Sequence, residues 1–253
     1  MRLSKFLTLT VLAVVLVFLI TSCKVKESVK TNQNTENQII NADFGGNSAM
    51  LNLRFTKGKY HNHPTLAIWI EETDGKFIRT LFVTRSLATG FYNHGDAGNG
   101  TWLTVPGEAQ RPATLPVWLH KREKLKADQA LLPDPQNPIP DAVTGATPSG
   151  NFEFIPKTDL PEKFRIFVEV NQAWDWNEFW TNNLYPGDKD YHTSAQPSLV
   201  YAVEVDMNSK MDEYYLNPIG RGHYSGKDGK LYTNISTFTT AFRIFDSIVL
   251  KVQ

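Results

Sequence analysis

Hydrophobic and polar positions alternate with period two through much of the chain. Leu51, Leu53 and Phe55 alternate with Met50, Asn52 and Arg54, and Leu199, Tyr201, Val203 and Val205 alternate with smaller or charged neighbours. Phe164, Ile166, Val168 and Val170 do the same against Arg165 and Glu169. Such alternation puts one set of side chains on one face of a pleated strand, so these segments read as half-buried strands of antiparallel sheets. Between Leu66 and Val83 two apolar runs flank Thr73, Asp74 and Gly75. Asp-Gly supplies the positive φ of a tight turn, which predicts a hairpin. Asn151 to Ile155 reads as a further strand, and Ile248, Leu250 and Val252 as a closing one. Phe238, Ala241, Phe242 and Phe245 have the spacing of one helical face, which predicts a short C-terminal helix. The expected fold class is therefore mainly β: an antiparallel β-sandwich, immunoglobulin-like, with long loops. Two of those loops, Gly90 to Gly107 and Leu132 to Gly150, exceed the usual connection length, which points to a functional role.

The N-terminus has a different pattern. Arg2 and Lys5 precede an apolar run from Phe6 to Ile20, shorter than the roughly 20 residues a spanning helix needs, and Ile20, Thr21 and Ser22 lead into Cys23. This resembles a bacterial lipoprotein signal, and the resemblance implies removal of residues 1–22 and lipidation of the Cys23 thiol. Cys23 is the single cysteine, so no internal disulfide and no cysteine-based zinc site is available. From Lys24 to Gly45 the chain is polar, with too little apolar surface to offset the cost of ordering. Residues 23–45 are accordingly expected to be a flexible tether and residues 46–253 the sandwich domain. Lys24 follows Cys23 where an inner-membrane retention signal would have an aspartate, so the expected location is the outer membrane, facing the periplasm. Lysine plus arginine and aspartate plus glutamate number 26 each, and no basic stripe points to nucleic acid.

Five stretches carry a family resemblance: LAIWIEETDGKFIRTL, RPATLPVWLHKRE, DAVTGATPSGNFEF, QPSLVYAVEVD and GRGHYSGKDGKLYTNISTFTTA. Together, over residues 50 to 252, they resemble the predicted periplasmic proteins of domain-of-unknown-function family 2271. The resemblance implies an extracytoplasmic β-rich domain and carries no established activity.

DAVTGAT also resembles the flavinylation signal of FMN-binding domains in respiratory electron-transfer proteins. That resemblance makes Asp141 the leading acidic residue, Thr144, Gly145 and Ala146 the approach segment, and Thr147 the acceptor of FMN from a flavin transferase. Pro148 follows at once and a strand, not a helix, is expected next. Read without the resemblance, the segment is a rigid turn, with Asp141 and Thr144 bonding nearby amides and Gly145 left-handed.

Other chemistry is incomplete. His61 and His63 stand at i and i+2, which on a strand would share a face, but no third ligand can be identified nearby, so no metal site is assigned. WDWNEFW offers Trp174, Trp176 and Trp180 as an aromatic platform for a sugar, with Asp175, Asn177 and Glu178 as hydrogen-bonding partners, or as the plug of one sandwich end. GRGHYSGKDGK lacks the spacing of a phosphate loop, and no Gly-x-Ser-x-Gly elbow occurs. No complete catalytic constellation is present, so an enzyme is not expected. Three readings stay open: a membrane-tethered, non-catalytic module that binds a periplasmic protein or small ligand, a flavin-associated accessory protein modified at Thr147, and a carbohydrate-binding module.

Overall fold

The computed structural model describes residues 37–45, 49–98, 101–122, 132–139 and 142–252, and the backbone at 125–126 and 129–130. Cys23 and Asp141 lie outside the described residues. The molecule is mainly β and is built as a sandwich of two sheets. In chain order the principal strands are β1 (Gln38–Asp43), β2 (Leu51–Lys57), β3 (Thr65–Glu72), β4 (Phe77–Thr84), β5 (Val143–Gly145), β6 (Phe152–Lys157), β7 (Lys163–Asn171), β8 (Leu199–Asp206), β9 (Tyr214–Tyr215), β10 (Asn217–Arg221) and β11 (Phe245–Val252). Among the described residues three short helices accompany them: α1 (Arg85–Thr89), α2 (Pro116–Lys121) and α3 (Tyr191–Ser194). The five-stranded sheet has the order β1-β6-β2-β11-β9 and the six-stranded sheet the order β5-β4-β3-β7-β8-β10. Most pairings are antiparallel, but β1 runs parallel to β6 and β5 parallel to β4, both at sheet edges. Among the described residues no helix is long and apolar enough to cross a membrane.

The alternating residues meet between the sheets. Leu51, Leu53, Phe55, Phe152, Phe154, Ile248 and Leu250 face Leu66, Ile68, Ile70, Phe164, Ile166, Val168, Leu199 and Val205 in one core. Phe55 and Phe152 lie opposite each other in the ladder and stack with centroids 4.2 Å apart. The expected hairpin is β3–β4. Its loop has three residues: the Glu72 amide donates to the Lys76 carbonyl at 2.8 Å, the Gly75 amide to the Glu72 carbonyl at 2.9 Å, and Gly75 takes φ +93°. A glycine in that conformation closes a three-residue hairpin loop.

Three features depart from the expectations drawn from the pattern. Polar composition predicts a tether as far as residue 45, yet Gln38–Asp43 forms β1, with Ile40 packed against the core and Ala42 buried. An edge strand needs only alternate small apolar residues once its backbone has a partner, so its polar composition does not prevent it. The C-terminal helix reduces to a single 3₁₀ turn at Thr240–Arg243 that leads into β11. The six-stranded sheet, moreover, is buried on both faces rather than one. Ala67, Trp69, Phe167, Val200 and Ala202 point away from the sandwich core into a second one, closed by Leu87, Ala88, Tyr92, Leu115, Val117, Trp118 and Ile139. The described parts of the chain between β4 and β5 form an outer layer over this face, and Trp69 stacks on Phe167 at 5.0 Å beneath it.

Two buried carboxylates hold α2 to the sheet. Glu169 is fully buried; its oxygens accept from the amides of Val117 (3.2 Å) and Trp118 (2.7 Å) and from the Ser198 hydroxyl (2.5 Å). It thus satisfies amides at the start of a helix that has no cap of its own. At the other end Glu71 accepts from Trp69 Nε1 at 2.7 Å and pairs with Lys121 at 3.1 Å. The Trp118 indole donates to Thr80 at 3.0 Å. Pro116 at the first helical position suits a helix start, where its missing N–H would have no intrahelical partner.

Burial pushes the Glu169 carboxyl up to about 7, against the opposing effect of its three hydrogen bonds. Because the folded value lies above the unfolded one, the native state binds more protons between about pH 4.5 and 7, and stability falls as pH rises through that window. The full effect is on the order of 3 kcal/mol. Denaturant midpoints measured across this range should show the slope, and Glu169→Gln should flatten it. For the hairpin, Gly75→Val should cost about 1–3 kcal/mol in a melting experiment. The nearest atoms to a Cβ added there would be 3.9 Å and 4.0 Å away, so the loss would come from the backbone alone.

Candidate functional site

The DAVTGATPSG segment is a strand and a crossing. Val143, Thr144 and Gly145 pair with Phe82, Val83 and Thr84, and Gly145 does not have a positive φ, so the left-handed turn expected there is absent. A short edge strand of this kind has no alternation long enough to be read from sequence. Ala146 is exposed, whereas Thr147 is buried, with its Oγ1 2.8 Å from Thr84 Oγ1. Thr84 Oγ1 in turn accepts from the Leu66 amide at 2.9 Å and lies 3.3 Å from the Leu66 carbonyl. One set of donors satisfies all four groups: Thr147 and the Leu66 amide donate to Thr84, which donates to the Leu66 carbonyl. A transferase would have to break this cluster to reach the Thr147 hydroxyl.

Beyond Thr147 the chain passes to the other sheet and is stitched there. His61 Nε2 donates to the Pro148 carbonyl at 2.8 Å, and Lys57 Nζ to the Ser149 carbonyl at 2.8 Å. His61 is buried, and its pKa is lowered chiefly by that burial. His63 is exposed, with φ +50° and its Nδ1 3.1 Å from Asn62 Oδ1. Both residues precede β3 and do not share a strand face. No group of three His, Cys, Asp or Glu side chains able to hold a metal occurs among the described residues.

The aromatic segment lies in the long connection from β7 to β8, at one end of the sandwich. Asn177 is its organiser. Its Oδ1 accepts from the amides of Phe179 (2.8 Å) and Trp180 (2.7 Å), and its Nδ2 donates to the Thr237 carbonyl (2.9 Å) and Thr239 hydroxyl (3.0 Å). All its hydrogen-bonding capacity is thereby directed to the scaffold, not to a ligand. Trp180 is buried and donates to Thr237 at 3.0 Å. Tyr191, fully buried at the centre, meets Trp176 at 5.6 Å, Trp180 at 6.3 Å, Tyr185 at 4.9 Å and Tyr224 at 5.9 Å. Tyr185 and Tyr224 stack at 3.9 Å, and the Arg221 guanidinium lies 5.4 Å from Trp180 and 4.8 Å from Tyr232. The three tryptophans therefore do not form a common platform: Trp180 is core, Trp176 is half-buried against it, and Trp174 is exposed.

Trp174 stands out by its backbone. It has φ +64°, and 55 % of its surface is exposed. A bulky residue in this region carries strain of about 1–3 kcal/mol and persists only where its surroundings impose it. They do so here. Asp175 forms a backbone bridge with Ala195, itself at φ +61°, and Gln196 Nε2 donates to the Asp175 carbonyl at 2.9 Å and to Thr240 Oγ1 at 2.6 Å. The Thr240 hydroxyl donates to Asp175 Oδ1 at 2.5 Å, while Asp175 Oδ2 is buried without a protein partner. Burial raises the Asp175 pKa, opposed by the Thr240 hydrogen bond. Phe179 and Leu184, on the same connection, are also exposed. The exposed Trp174 indole suits contact with a planar apolar surface.

Comparison of the chain with protein-family models, with curated proteins and with solved structures gives no match.

Replacing Thr147 by valine should cost only about 0.5–1.5 kcal/mol, the net worth of one hydrogen bond, since Leu66 and Thr84 keep each other. Chemical denaturation measures this, and intact mass after co-expression with a flavin transferase should show no FMN on the parent protein.

Proposed function

We propose that the chain is a non-catalytic binding module, tethered through lipid on Cys23 to a bacterial membrane and facing the periplasm, that holds a carbohydrate-like ligand against Trp174. The observation that carries this reading is the strained and exposed indole of Trp174 on an otherwise hydrogen-bonded aromatic scaffold. A sugar ring presents C–H groups on one face and hydroxyls at its edge. The first suit an aromatic surface such as the exposed indole of Trp174. The scaffold keeps the surface fixed, so little ordering is required on binding. The resemblance to the predicted periplasmic family supports the location but adds no ligand.

A glycan array probed with the parent protein and with Trp174→Gly tests the reading. Glycine relieves the positive φ, so the variant should melt no lower than the parent despite losing an indole, and it should lose binding. Undiminished binding by the variant, or no glycan bound by the parent, would remove the carbohydrate assignment.

A further inference from the structure

The loop after α1 holds a second arrangement that the Trp174 reading does not use. The Arg111 guanidinium lies over two rings, 4.1 Å from Tyr92 and 4.8 Å from Trp102. The rings engage the π surface of the cation, and its polar contacts fall to its N–H edge. That edge is nearly unspent. Nη2 donates to the His94 carbonyl at 3.3 Å, whereas Nε is buried with no partner, and so is the Tyr92 hydroxyl. Tyr92 is almost wholly buried, and its hydroxyl and the guanidinium are close enough to influence each other electrostatically.

Buried donors are ordinarily satisfied, and a partly buried cation is ordinarily paired. Among the described residues no carboxylate lies within ion-pair distance of Arg111. The nearest acidic influence is Asp96, whose Oδ1 is engaged by the Gly98 amide at 2.7 Å. Nor is the arrangement a loose surface contact. Phe91 and Tyr92 pair with Glu108 and Gly107, and the Ala109 amide donates to the Gly90 carbonyl at 2.9 Å. Gly95 packs so closely on Gly107 that an added Cβ would come within 2.9 Å of its Cα, which fixes the loop that carries His94. Arg111 as a whole is half-buried, so part of its side chain reaches solvent.

We propose that Arg111, held against Tyr92 and Trp102, is the receptor for an oxyanion, a carboxylate, sulfate or phosphate group bound along the guanidinium edge. Such a group supplies both missing elements, a counter-charge and an acceptor for neighbouring donors, and a pair of its oxygens matches the guanidinium fork. A neutral sugar supplies only the acceptor. The site stands independently of Trp174, and neither reading depends on the other.

The test uses the full chain in detergent, labelled with ¹⁵N, titrated at constant ionic strength with glucuronate, sulfate and phosphate, and with glucose as the neutral control. The Arg111 Nε–H resonance should shift saturably with at least one oxyanion and stay fixed with glucose. Glucuronate alone giving the shift identifies a carboxylate on a sugar as the source, and sulfate or phosphate alone identifies a free inorganic ion. By calorimetry Arg111→Lys, which keeps the charge and loses the fork, should weaken binding about tenfold or more. Tyr92→Phe should weaken it severalfold without lowering stability, because it removes a buried unpaired hydroxyl. Asp96→Asn should tighten it severalfold by removing a repelling charge. No saturable shift with any of the three oxyanions, or unchanged affinity in Asp96→Asn, would overturn the proposal. Neither result bears on glycan binding at Trp174.

Discussion

Trp69 and Phe167, stacked on the outer face of the six-stranded sheet, have to be kept from water, and so do Leu66, Ile68 and Val168 on its inner face. A strand that is apolar on both sides cannot sit in a simple two-layer sandwich with one wet face. The five-stranded sheet covers one side. The other is covered by chain with little regular structure, and a loop laid over an apolar sheet needs polar attachments where its backbone groups lose water. Glu169 and Glu71 provide them at the two ends of α2. This explains why fully buried carboxylates occur in an otherwise apolar core. They fix the position of the outer layer, which hydrophobic contact alone would leave free to slide.

Part of this architecture is legible in the sequence, and the rest is hidden for identifiable reasons. β2, β7, β8 and β11 repeat their pattern over several residues, so a period-two signal has length enough to be read, while β3 and β4 read as apolar runs on either side of a turn. The Asp-Gly pair marks its turn through glycine's freedom of φ. The outer layer is hidden because α2 spans less than two helical turns and its neighbours have no period. Glu169 alternates with apolar residues as a solvent-facing position would, and only the chain returning over it reveals the burial. DAVTGATPSG reads as a turn because its glycine and proline are common turn residues; its parallel partner, β4, lies some 60 residues earlier, a relation that local pattern does not encode.

The aromatic end is legible in part. WDWNEFW stands out by composition, and on composition Trp174, Trp176 and Trp180 are equivalent. Their separate fates are decided by Asn177, Thr237 and Tyr191, of which two come from distant parts of the chain or from a helix too short to predict. Tyr185, Arg221, Tyr224 and Tyr232 join the cluster through long-range packing only. The ring contacts of Arg111 are likewise invisible in the sequence, since its two rings lie 19 and 9 positions away and no motif links them.

The parallel pairing of β1 with β6 has a mechanical meaning. Whatever tension reaches the folded domain from its N-terminal side enters at Gln38, at the beginning of a six-residue ladder. A pull along the strand loads those hydrogen bonds side by side, in shear, while a pull across it would open them one after another. Force directed along β1 is therefore borne by the whole strand before it reaches the core, and the edge of the five-stranded sheet serves as the molecule's strain relief.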